Sequence, residues 1–387
     1  MSMPNFGPLW WRDRDTFVGL LSIYGNCTEL ANRSTAEGFE VSKNTVQNWA
    51  RRFEIPLRRT SKAFTPVASE DEEAFFVTSV HALLNKPNPT SVPDIADELD
   101  VPPKKVRQAV EILRMRGFRI PDEEQGSISI QKIAPAKNNL HKSVLEGNEI
   151  EFGVVSDTHL SSNEEALEEL HLAYDVFEER GISQVFHAGD WTCGSGIFRG
   201  QIAEIKNHTF EGQVEYLVKN YPYRPGILTS GISGNHDIEG DFGRIGANPV
   251  VALANRRDDI EFLGDYSAYV NLHTDEHPTW LHLLHGKGGM SYAYSYKAQK
   301  IVEGYSNDRR PAMLAVGHWH VAGQFEARGT QVLFPACFEW QSPFLERLGL
   351  NPAVGFNIIK MVIGDDGEIV QIKPEYYRFR EARELDY

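Results

Sequence analysis

The stretch IEFGVVSDTH, residues 150–159, indicates most directly which fold this chain adopts. Its first part is a short apolar run with the β-branched composition that is typical of a buried strand. The run ends in Asp157 and His159, whose side chains lie on the same side of an extended segment and can face one ion. A strand that delivers polar residues from its carboxyl end is the arrangement expected in a layered α/β sheet.

Four further apolar runs end in polar residues that can bind a metal. ISQVFHAG precedes Asp190, GILTSGIS precedes Gly-Asn-His-Asp at 234–237, TWLHLL precedes His285, and AMLAVG precedes His318-Trp319-His320. Rigid strand ends can hold ligands in a fixed relation while the loops remain free for substrate. We therefore predict that the five strand ends meet in one site.

The residue types at these strand ends fit divalent transition metals. Carboxylates with neutral imidazoles suit Mn²⁺, Fe²⁺ and Zn²⁺, whereas an all-carboxylate set would suit Mg²⁺ better. A lone histidine is more often satisfied by hydrogen bonds, and that interpretation is kept for His81, His141, His171, His208, His273 and His277. His187 and His282 fall in predicted strands near the site, where they are expected to support the ligands or to belong to the core.

In order and complete, these segments resemble the five signature blocks of the calcineurin-like metallophosphoesterases: D-x-H, G-D, G-N-H-D, H-G and G-H-x-H. The resemblance spans Asp157 to His320 and extends toward the end of the chain. It implies two divalent ions per chain, with Mn²⁺ expected and Fe²⁺, Zn²⁺ or Mg²⁺ as alternatives. It also implies in-line hydrolysis of a phosphoester, with the ions neutralising the charge that builds on the oxygens.

The resemblance assigns roles residue by residue. Two ligand sets share one member: Asp157, His159 and His320 would bind the first ion, Asn235, His285 and His318 the second, and Asp190 both. His236 would act on the leaving-group oxygen or stabilise charge on the phosphoryl group without binding metal. Asp237 would orient His236 or its loop.

The predicted fold class is α/β (layered α+β), because short apolar runs alternate with helical or loop segments from residue 150 onward. The resemblance implies a β-sandwich flanked by helices, preceded by small, mainly helical domains. The expected division is a helix-turn-helix-like domain at 1–62, a winged-helix-like domain at 63–133, a polar linker at 134–149 and the metallophosphoesterase domain at 150–387.

In the first predicted domain, VSKNTVQNWARRF at 41–53 resembles the recognition helix of helix-turn-helix proteins. Ser42 can cap this helix, and Val46, Trp49, Ala50 and Phe53 form one apolar stripe. The residues predicted to contact DNA are Lys43, Asn44, Gln47, Arg51 and Arg52.

In the second predicted domain, PPKKVRQAVEILRMRG forms a helix that ends at Gly117. FRIPDEEQGSISIQKI, which follows, predicts two short strands around an acidic turn. Three helices and a hairpin resemble a winged helix, with Lys104, Lys105 and Arg107 near the start of its recognition helix. The alternative is a small bundle that only packs on the rest of the chain.

The net charge of −15 is divided unevenly along the chain. Residues 1–145 hold 19 Lys and Arg against 18 Asp and Glu, whereas residues 146–387 hold 20 against 36. The basic clusters at 43–62 and 104–119 suit contacts with phosphates. Solvated helix faces are the commoner explanation of such charge runs.

The chain lacks the sequence marks of membrane and secreted proteins. No apolar run approaches the ~20 residues that span a bilayer, and the first residues are not a secretory signal. Cys27, Cys193 and Cys337 are an odd, unpaired set, which fits a reducing cytoplasm. We therefore expect a cytoplasmic protein without a membrane partner, and a homodimer is left open.

The segment at 192–225 is longer than a plain connection and resembles an insertion in a bacterial and phage subgroup that is similar to the SbcCD-type repair nuclease subunit. The first hypothesis is therefore a DNA nuclease or phosphodiesterase that binds DNA through its N-terminal region. The alternatives are a phosphatase or small-nucleotide phosphodiesterase whose N-terminal region serves assembly, and a non-enzymatic DNA-binding regulator.

Overall fold

The computed structural model describes residues 17, 20, 27–36, 46, 70–86, 90–122, 127–130, 140–306 and 310–380. The chain divides into two compact units, 1–69 and Glu70–Tyr387. In the first unit, the described helix α1 (Cys27–Ala36) buries Leu30 and Ala31. The predicted recognition helix lies outside the described residues except for Val46, which is buried; Lys43, Asn44, Gln47, Arg51 and Arg52 are not among those described.

The second unit contains both helices and strands. Its helices are α2 (Glu70–Leu84), α3 (Val92–Leu99), α4 (Pro103–Met115), α5 (Leu167–Glu179), α6 (Phe210–Asn220), α7 (Asn235–Ile238), α8 (Gly240–Arg244), α9 (Pro249–Ala254), α10 (Tyr296–Glu303) and α11 (Pro343–Arg347). Its strands are β1 (Leu140–Lys142), β2 (Glu149–Val155), β3 (Gln184–His187), β4 (Leu228–Ser233), β5 (Ile260–Asp265), β6 (Ser267–Asn271), β7 (Trp280–His285), β8 (Met313–Gly317), β9 (Gly323–Ala327), β10 (Thr330–Phe334), β11 (Gly355–Ile363) and β12 (Ile369–Arg378). Across the described ranges, every helix is too short or too polar to cross a bilayer.

The strands form two six-stranded sheets that pack against each other. One sheet has the order β12-β11-β2-β3-β4-β5, and the other has the order β1-β6-β7-β8-β10-β9. In the first sheet β2, β3 and β4 are parallel neighbours, and in the second β7 and β8 are parallel. The predicted α/β fold with a β-sandwich flanked by helices is confirmed.

The core explains why the sheets are layered. Phe152 and Phe186 of the first sheet meet Leu283 and Met313 of the second in one buried cluster. Helix α5 covers the outer face of the first sheet through residues such as Phe177, and α10 covers the outer face of the second through Ala298 and Val302. Because apolar surface is buried on both faces of the central strands, β2, β3, β4, β7 and β8 are buried along most of their length.

Helices α2, α3 and α4 surround a small core of their own. Val80, Ile95, Val106 and Leu113 are buried in it, and Ser91 caps α3 in a reciprocal bond with Asp94. Helix α4 lies in the segment that the sequence predicts to be helical.

Of the segment predicted as a hairpin after α4, the structure describes residues 118–122 and 127–130. Phe118 bridges to Ala247, and Ile128 bridges to Thr90. Gly117, with a φ of +91°, lies directly against Asn248 and Ala252 of the sheet domain. The Gly117 carbonyl then accepts a hydrogen bond from the Asn248 amide at 2.9 Å.

The helical region packs directly on the sheets as part of the same unit. Arg119 forms an ion pair with Asp265 at 3.0 Å, and the Phe118 ring contacts Phe210. The segment predicted as a linker, 134–149, contributes β1, which pairs in parallel with β6 at the sheet edge. It therefore forms part of the sheet as well as connecting the two regions.

Candidate metal centre

The predicted ligands come together because their strands end at one edge of the sandwich. In the first sheet, the parallel strands β2, β3 and β4 run into the segments that carry Asp157, Asp190 and Asn235. In the second sheet, β7 ends at His285 and its parallel neighbour β8 runs into His318. Parallel strands place their carboxyl ends at the same edge of a sheet, so the topology brings the ligand-bearing segments together.

The backbone is strained where these side chains are held. Asp157, His159, Asp190, His318 and His320 all have positive φ values, between 43° and 90°. Such conformations are uncommon for residues other than glycine and persist where the surrounding structure enforces them. Five of the nine described non-glycine residues with positive φ are thus predicted ligands, which indicates a functional site.

Two glycines of the signature blocks leave room for this convergence. A Cβ at Gly234 would lie against the Asp190 carboxylate and 2.7 Å from His285 Cε1. A Cβ at Gly317 would lie 2.5 Å from the Ala188 carbonyl oxygen. At both glycines the backbone lies so close to neighbouring atoms of the site that a side chain would not fit.

The first predicted ligand set forms a tight cluster. One ligand atom from each of Asp157, His159 and His320 lies within 4.8 Å of the others. The Nε2 atoms of His159 and His320 are 3.0 Å apart, and Asp157 Oδ1 lies 3.5 Å from His320 Nε2. The Asp157 carboxylate is fixed by the Ser156 hydroxyl at 2.5 Å and the His318 amide at 2.9 Å.

The second set lies next to the first. Ligand atoms of Asp190, His285 and His318 are also within 4.8 Å of one another. Asp190 Oδ2 and Asn235 Oδ1 each lie 3.1 Å from His285 Nε2. Since Asp190 Oδ2 is also 3.8 Å from His159 Nε2, Asp190 stands between the two sets, as the prediction requires of a bridging ligand.

The electrostatics of the cluster favour bound cations. Asp157 and Asp190 are buried, and their ion-pair partners among the described residues are histidines rather than Lys or Arg. Burial would raise the pKa of Asp190, but His285 and His236 hold it well below its usual range. Buried carboxylates facing imidazoles are a donor set that fits divalent transition metals. The residues present therefore fit the predicted ions.

The histidines differ in how readily they accept a proton. Burial favours neutral His285, but Asp190 outweighs it and raises the His285 pKa to about 9. Burial and the neighbouring His285 lower the pKa of His318 to about 4. His285 Nδ1 donates to the Ala188 carbonyl at 2.9 Å, which leaves Nε2 directed at Asp190.

His236 lies beside the ligands and is reachable from solvent. It is half-buried, and its ring stands 4.5 Å from that of His159. Its Nδ1 pairs with the Cys193 carbonyl at 2.8 Å, and its amide donates to Asp190 Oδ1 at 2.8 Å. These contacts fix the ring and leave Nε2 available for substrate.

Asp237 is buried and contacts the backbone of the site. Its carboxylate accepts hydrogen bonds from the amides of Trp191, Thr192 and Gly234, at 2.8 to 3.2 Å. Burial and Asp190 raise its pKa to about 7. The arrangement makes Asp237 a positioning residue that joins the loops carrying Asp190 and His236.

The neighbouring aromatic residues belong to the core. His187 is buried and stacks on Trp191 with ring centroids 4.0 Å apart, and burial lowers the pKa of His187 to about 3. His282 stacks on Tyr269 and bonds to Ser267. Both histidines support the strands.

The described part of the predicted DNA-binding surface lies on α4. Lys104, Lys105 and Arg107 are exposed on its first turns. Two other members of the basic cluster are engaged within the chain: Arg114 donates to the carbonyls of Ile120 and Pro121, and Arg119 pairs with Asp265.

Glu339 is a site residue that sequence reasoning missed. It is buried, accepts a hydrogen bond from the Ser162 hydroxyl at 2.8 Å, and places Oε2 3.8 Å from His320 Nδ1. Its signal in the sequence was an acidic residue within the otherwise apolar run Ala336–Trp340.

Comparison with known proteins places these observations in a family. Residues 150–343 match the model of the calcineurin-like phosphoesterase superfamily domain. No curated protein sequence matches the chain significantly.

Among solved structures, the chain is similar to an archaeal phosphodiesterase, with 14% identity, a TM-score of 0.34, and coverage of 59% of this chain and 100% of that one. It is also similar to Vps29 of Entamoeba histolytica in complex with zinc, with 14% identity, a TM-score of 0.30, and coverage of 60% and 100%. Vps29 of Cryptosporidium parvum gives 13% identity, a TM-score of 0.29, and coverage of 61% and 100%.

Proposed function

The chain belongs to the calcineurin-like phosphoesterase superfamily, and on that premise we propose that it is a metal-dependent phosphodiesterase that cleaves DNA. The observation that carries the proposal is the convergence of two ligand sets with the Asp190 carboxylate between them. We assign Asp157, His159 and His320 to one ion and Asn235, His285 and His318 to a second. When bound, two such ions neutralise charge on a phosphoryl group and make a water more acidic.

The protein residues fix the geometry for this reaction. Asp237 holds the loops of Asp190 and His236 together through backbone amides, so these two side chains keep a constant relation. The strained backbone at the ligands keeps their side chains aimed at one point before substrate arrives. Reorganisation during the reaction is thereby reduced.

His236 serves as the proton donor to the leaving oxygen. Its Nδ1 is engaged by the Cys193 carbonyl, so the proton transferred is the one on Nε2. An alkoxide is a poor leaving group, and a positioned acid typically contributes 10²–10⁴-fold to such a step.

The proposal that DNA is the substrate is supported by the distribution of charge and by the helical region. Residues 146–387 carry 36 acidic against 20 basic residues, which repels a polyanion. Exposed Lys104, Lys105 and Arg107 on α4 supply local positive charge in the same compact unit. Contacts of this kind govern non-specific affinity for nucleic acids.

A second candidate, hydrolysis of a small phosphodiester, is favoured by one specific observation. The end of α4 packs on the sheet domain through Gly117, Phe118 and Arg119, as an assembly role would require. Under this alternative, the exposed lysines of α4 do not contribute to turnover.

A panel of substrates in the presence of Mn²⁺ tests the proposal. The panel comprises single-stranded DNA, double-stranded DNA, RNA, cyclic dinucleotides and a chromogenic phosphodiester. The proposal expects DNA to be cleaved with a higher kcat/KM than the small diesters. Hydrolysis of small diesters without cleavage of DNA would establish the second candidate instead.

A further inference from the structure

A loop beside the metal centre has a composition unlike the rest of its domain. This loop, residues 286–296, begins directly after the predicted ligand His285 and ends at the start of α10. It carries tyrosines at alternate positions, Tyr292, Tyr294 and Tyr296. We call it the aromatic loop.

The aromatic loop is anchored to the metal-binding segment. Trp319, which stands between His318 and His320, donates from Nε1 to the Gly288 carbonyl at 2.8 Å. Lys297 Nζ donates to the carbonyls of Lys287 at 3.0 Å and Gly289 at 2.6 Å. The hydrogen bond from Trp319 thus fixes the loop next to the predicted ligands His318 and His320.

The tyrosines extend from this anchored base into solvent. Tyr292 is fully exposed, and Tyr296 and Tyr294 are 54% and 47% exposed. Tyr294 is held in place because its ring packs on Phe334, which Trp319 also contacts. Exposed aromatic faces on an anchored base are available for stacking.

The charge around the loop suits a polyanion. From His277 to Val302 the sequence has no Asp or Glu and three lysines, Lys287, Lys297 and Lys300. The surrounding residues 146–387 are strongly acidic. Lys297 is bonded to carbonyls of the loop and Lys300 pairs with Glu303 at 2.7 Å, so the charge that the loop offers to a phosphate backbone is chiefly that of exposed Lys287.

We propose that the aromatic loop is a stacking platform for unpaired bases of a polynucleotide whose scissile phosphate lies at the metal centre. The inference rests on the proposed function and deepens it by naming single-stranded nucleic acid as the substrate class. Unpaired bases are required because base faces are covered in a duplex, whereas aromatic side chains joined to a basic groove bind single strands.

The test combines variants of the loop with removal of the bases. The full-length protein with Mn²⁺ is given a short single-stranded oligonucleotide and the same backbone with abasic sites, and the ratio of the two kcat/KM values is measured. The unchanged protein should prefer the base-containing strand by on the order of tenfold per stacked base. In Tyr292→Ala/Tyr296→Ala this ratio should collapse toward one, and Tyr292→Phe/Tyr296→Phe should restore it because the rings remain.

Tyr223→Ala provides the matched control. Tyr223 is 59% exposed and precedes β4, whereas the ligands follow the opposite end of that strand, so its removal should keep the ratio. An unchanged ratio in Tyr292→Ala/Tyr296→Ala, with the unchanged protein still cleaving the oligonucleotide, would overturn the platform alone. Failure of the unchanged protein to cleave any polynucleotide would overturn the proposed function itself.

Discussion

The Nε2 atoms of His159 and His320 lie 3.0 Å apart in a site that also contains the buried carboxylates of Asp157 and Asp190. Burial, His236 and His320 lower the pKa of His159 well below its usual value, so this ring is neutral. Two ring nitrogens that face each other beside carboxylates form a set of metal ligands, because a bound cation would give each of these atoms a partner.

Removal of His236 should separate catalysis from metal binding. In His236→Ala, kcat should fall about 10²–10⁴-fold because the leaving oxygen loses its proton donor. The metal content by elemental analysis should stay at the level of the unchanged protein. His208→Ala, which removes an exposed histidine, is the control. A variant that loses one ion would place His236 among the ligands and contradict its assignment as an acid.

Glu339 should support metal binding through His320. Its carboxylate lies 3.8 Å from His320 Nδ1 and is held by Ser162, so a small closure would let it orient the ring. Partners of this kind typically contribute 10–100-fold to metal affinity. We expect Glu339→Gln to weaken Mn²⁺ binding at one site about tenfold in a calorimetric titration.

The control for Glu339 has the same chemistry at a distant position. Glu261 also accepts a hydrogen bond from a serine hydroxyl, that of Ser230 at 2.7 Å, on neighbouring strands of the first sheet. Glu261→Gln should leave Mn²⁺ affinity as it is. Equal affinities in the two variants would rule out a role for Glu339 at the metal centre.

The ion pair between Arg119 and Asp265 should stabilise the packing of α4 on the sheets. Their side chains are 14% and 13% exposed, so removing the cation leaves a largely buried carboxylate unpaired. Breaking such a pair costs about 3–5 kcal/mol when burial is deep. We expect Arg119→Met to lower the free energy of unfolding by at least about 2 kcal/mol in a urea titration. Arg244→Met, at an exposed pair with Asp241, should change it little.

The loss in Arg119→Met should depend on pH with a definite sign. Burial raises the pKa of Asp265 even though Arg119 opposes the shift, and removing Arg119 raises it further. A folded-state carboxyl with a raised pKa binds its proton more tightly than the unfolded chain does, so stability increases as pH falls through that pKa. The deficit of the variant should therefore be smaller at about pH 5 than at about pH 7.5. A deficit that grows on acidification would contradict this explanation.

Sequence patterns predict where the candidate metal-binding side chains meet, because these side chains lie in short segments that each follow an apolar run. Asp157 and His159 follow one buried apolar run, and His318 and His320 follow another. The structure places Asp157, His159 and His320 in one cluster and His318 in the neighbouring cluster. The parallel order of β2, β3 and β4 could be expected once each run was seen to end in a polar residue.

The remaining features depend on contacts between distant segments. Phe118, which begins the segment predicted as a hairpin, bridges to Ala247, and such a partner is decided by tertiary packing. Glu339 approaches His320 only in the folded chain. Arg114 carries a charge that suggested phosphate binding, yet it donates to carbonyls six and seven residues away.

Exposed lysines on α4 should contribute to DNA affinity. We expect Lys104→Ala/Lys105→Ala in the full-length chain to weaken binding to duplex DNA and to flatten the plot of log affinity against log salt by about 0.9 per lost phosphate contact. Lys219→Ala/Lys360→Ala removes the same charge from exposed positions elsewhere and should preserve the slope. Identical slopes in both double variants would show that the α4 lysines do not contact DNA phosphates, and α4 would then no longer support DNA as the substrate.

The stoichiometry of bound metal tests the central claim most directly. The account predicts two Mn²⁺ ions per full-length chain by elemental analysis after saturation, because Asp190 Oδ2 lies between the two ligand sets, 3.8 Å from His159 Nε2 and 3.1 Å from His285 Nε2. Asp190→Ala should weaken both sites, whereas His159→Ala should weaken mainly one. One ion or none in the saturated protein, or one undisturbed site in Asp190→Ala, would contradict it.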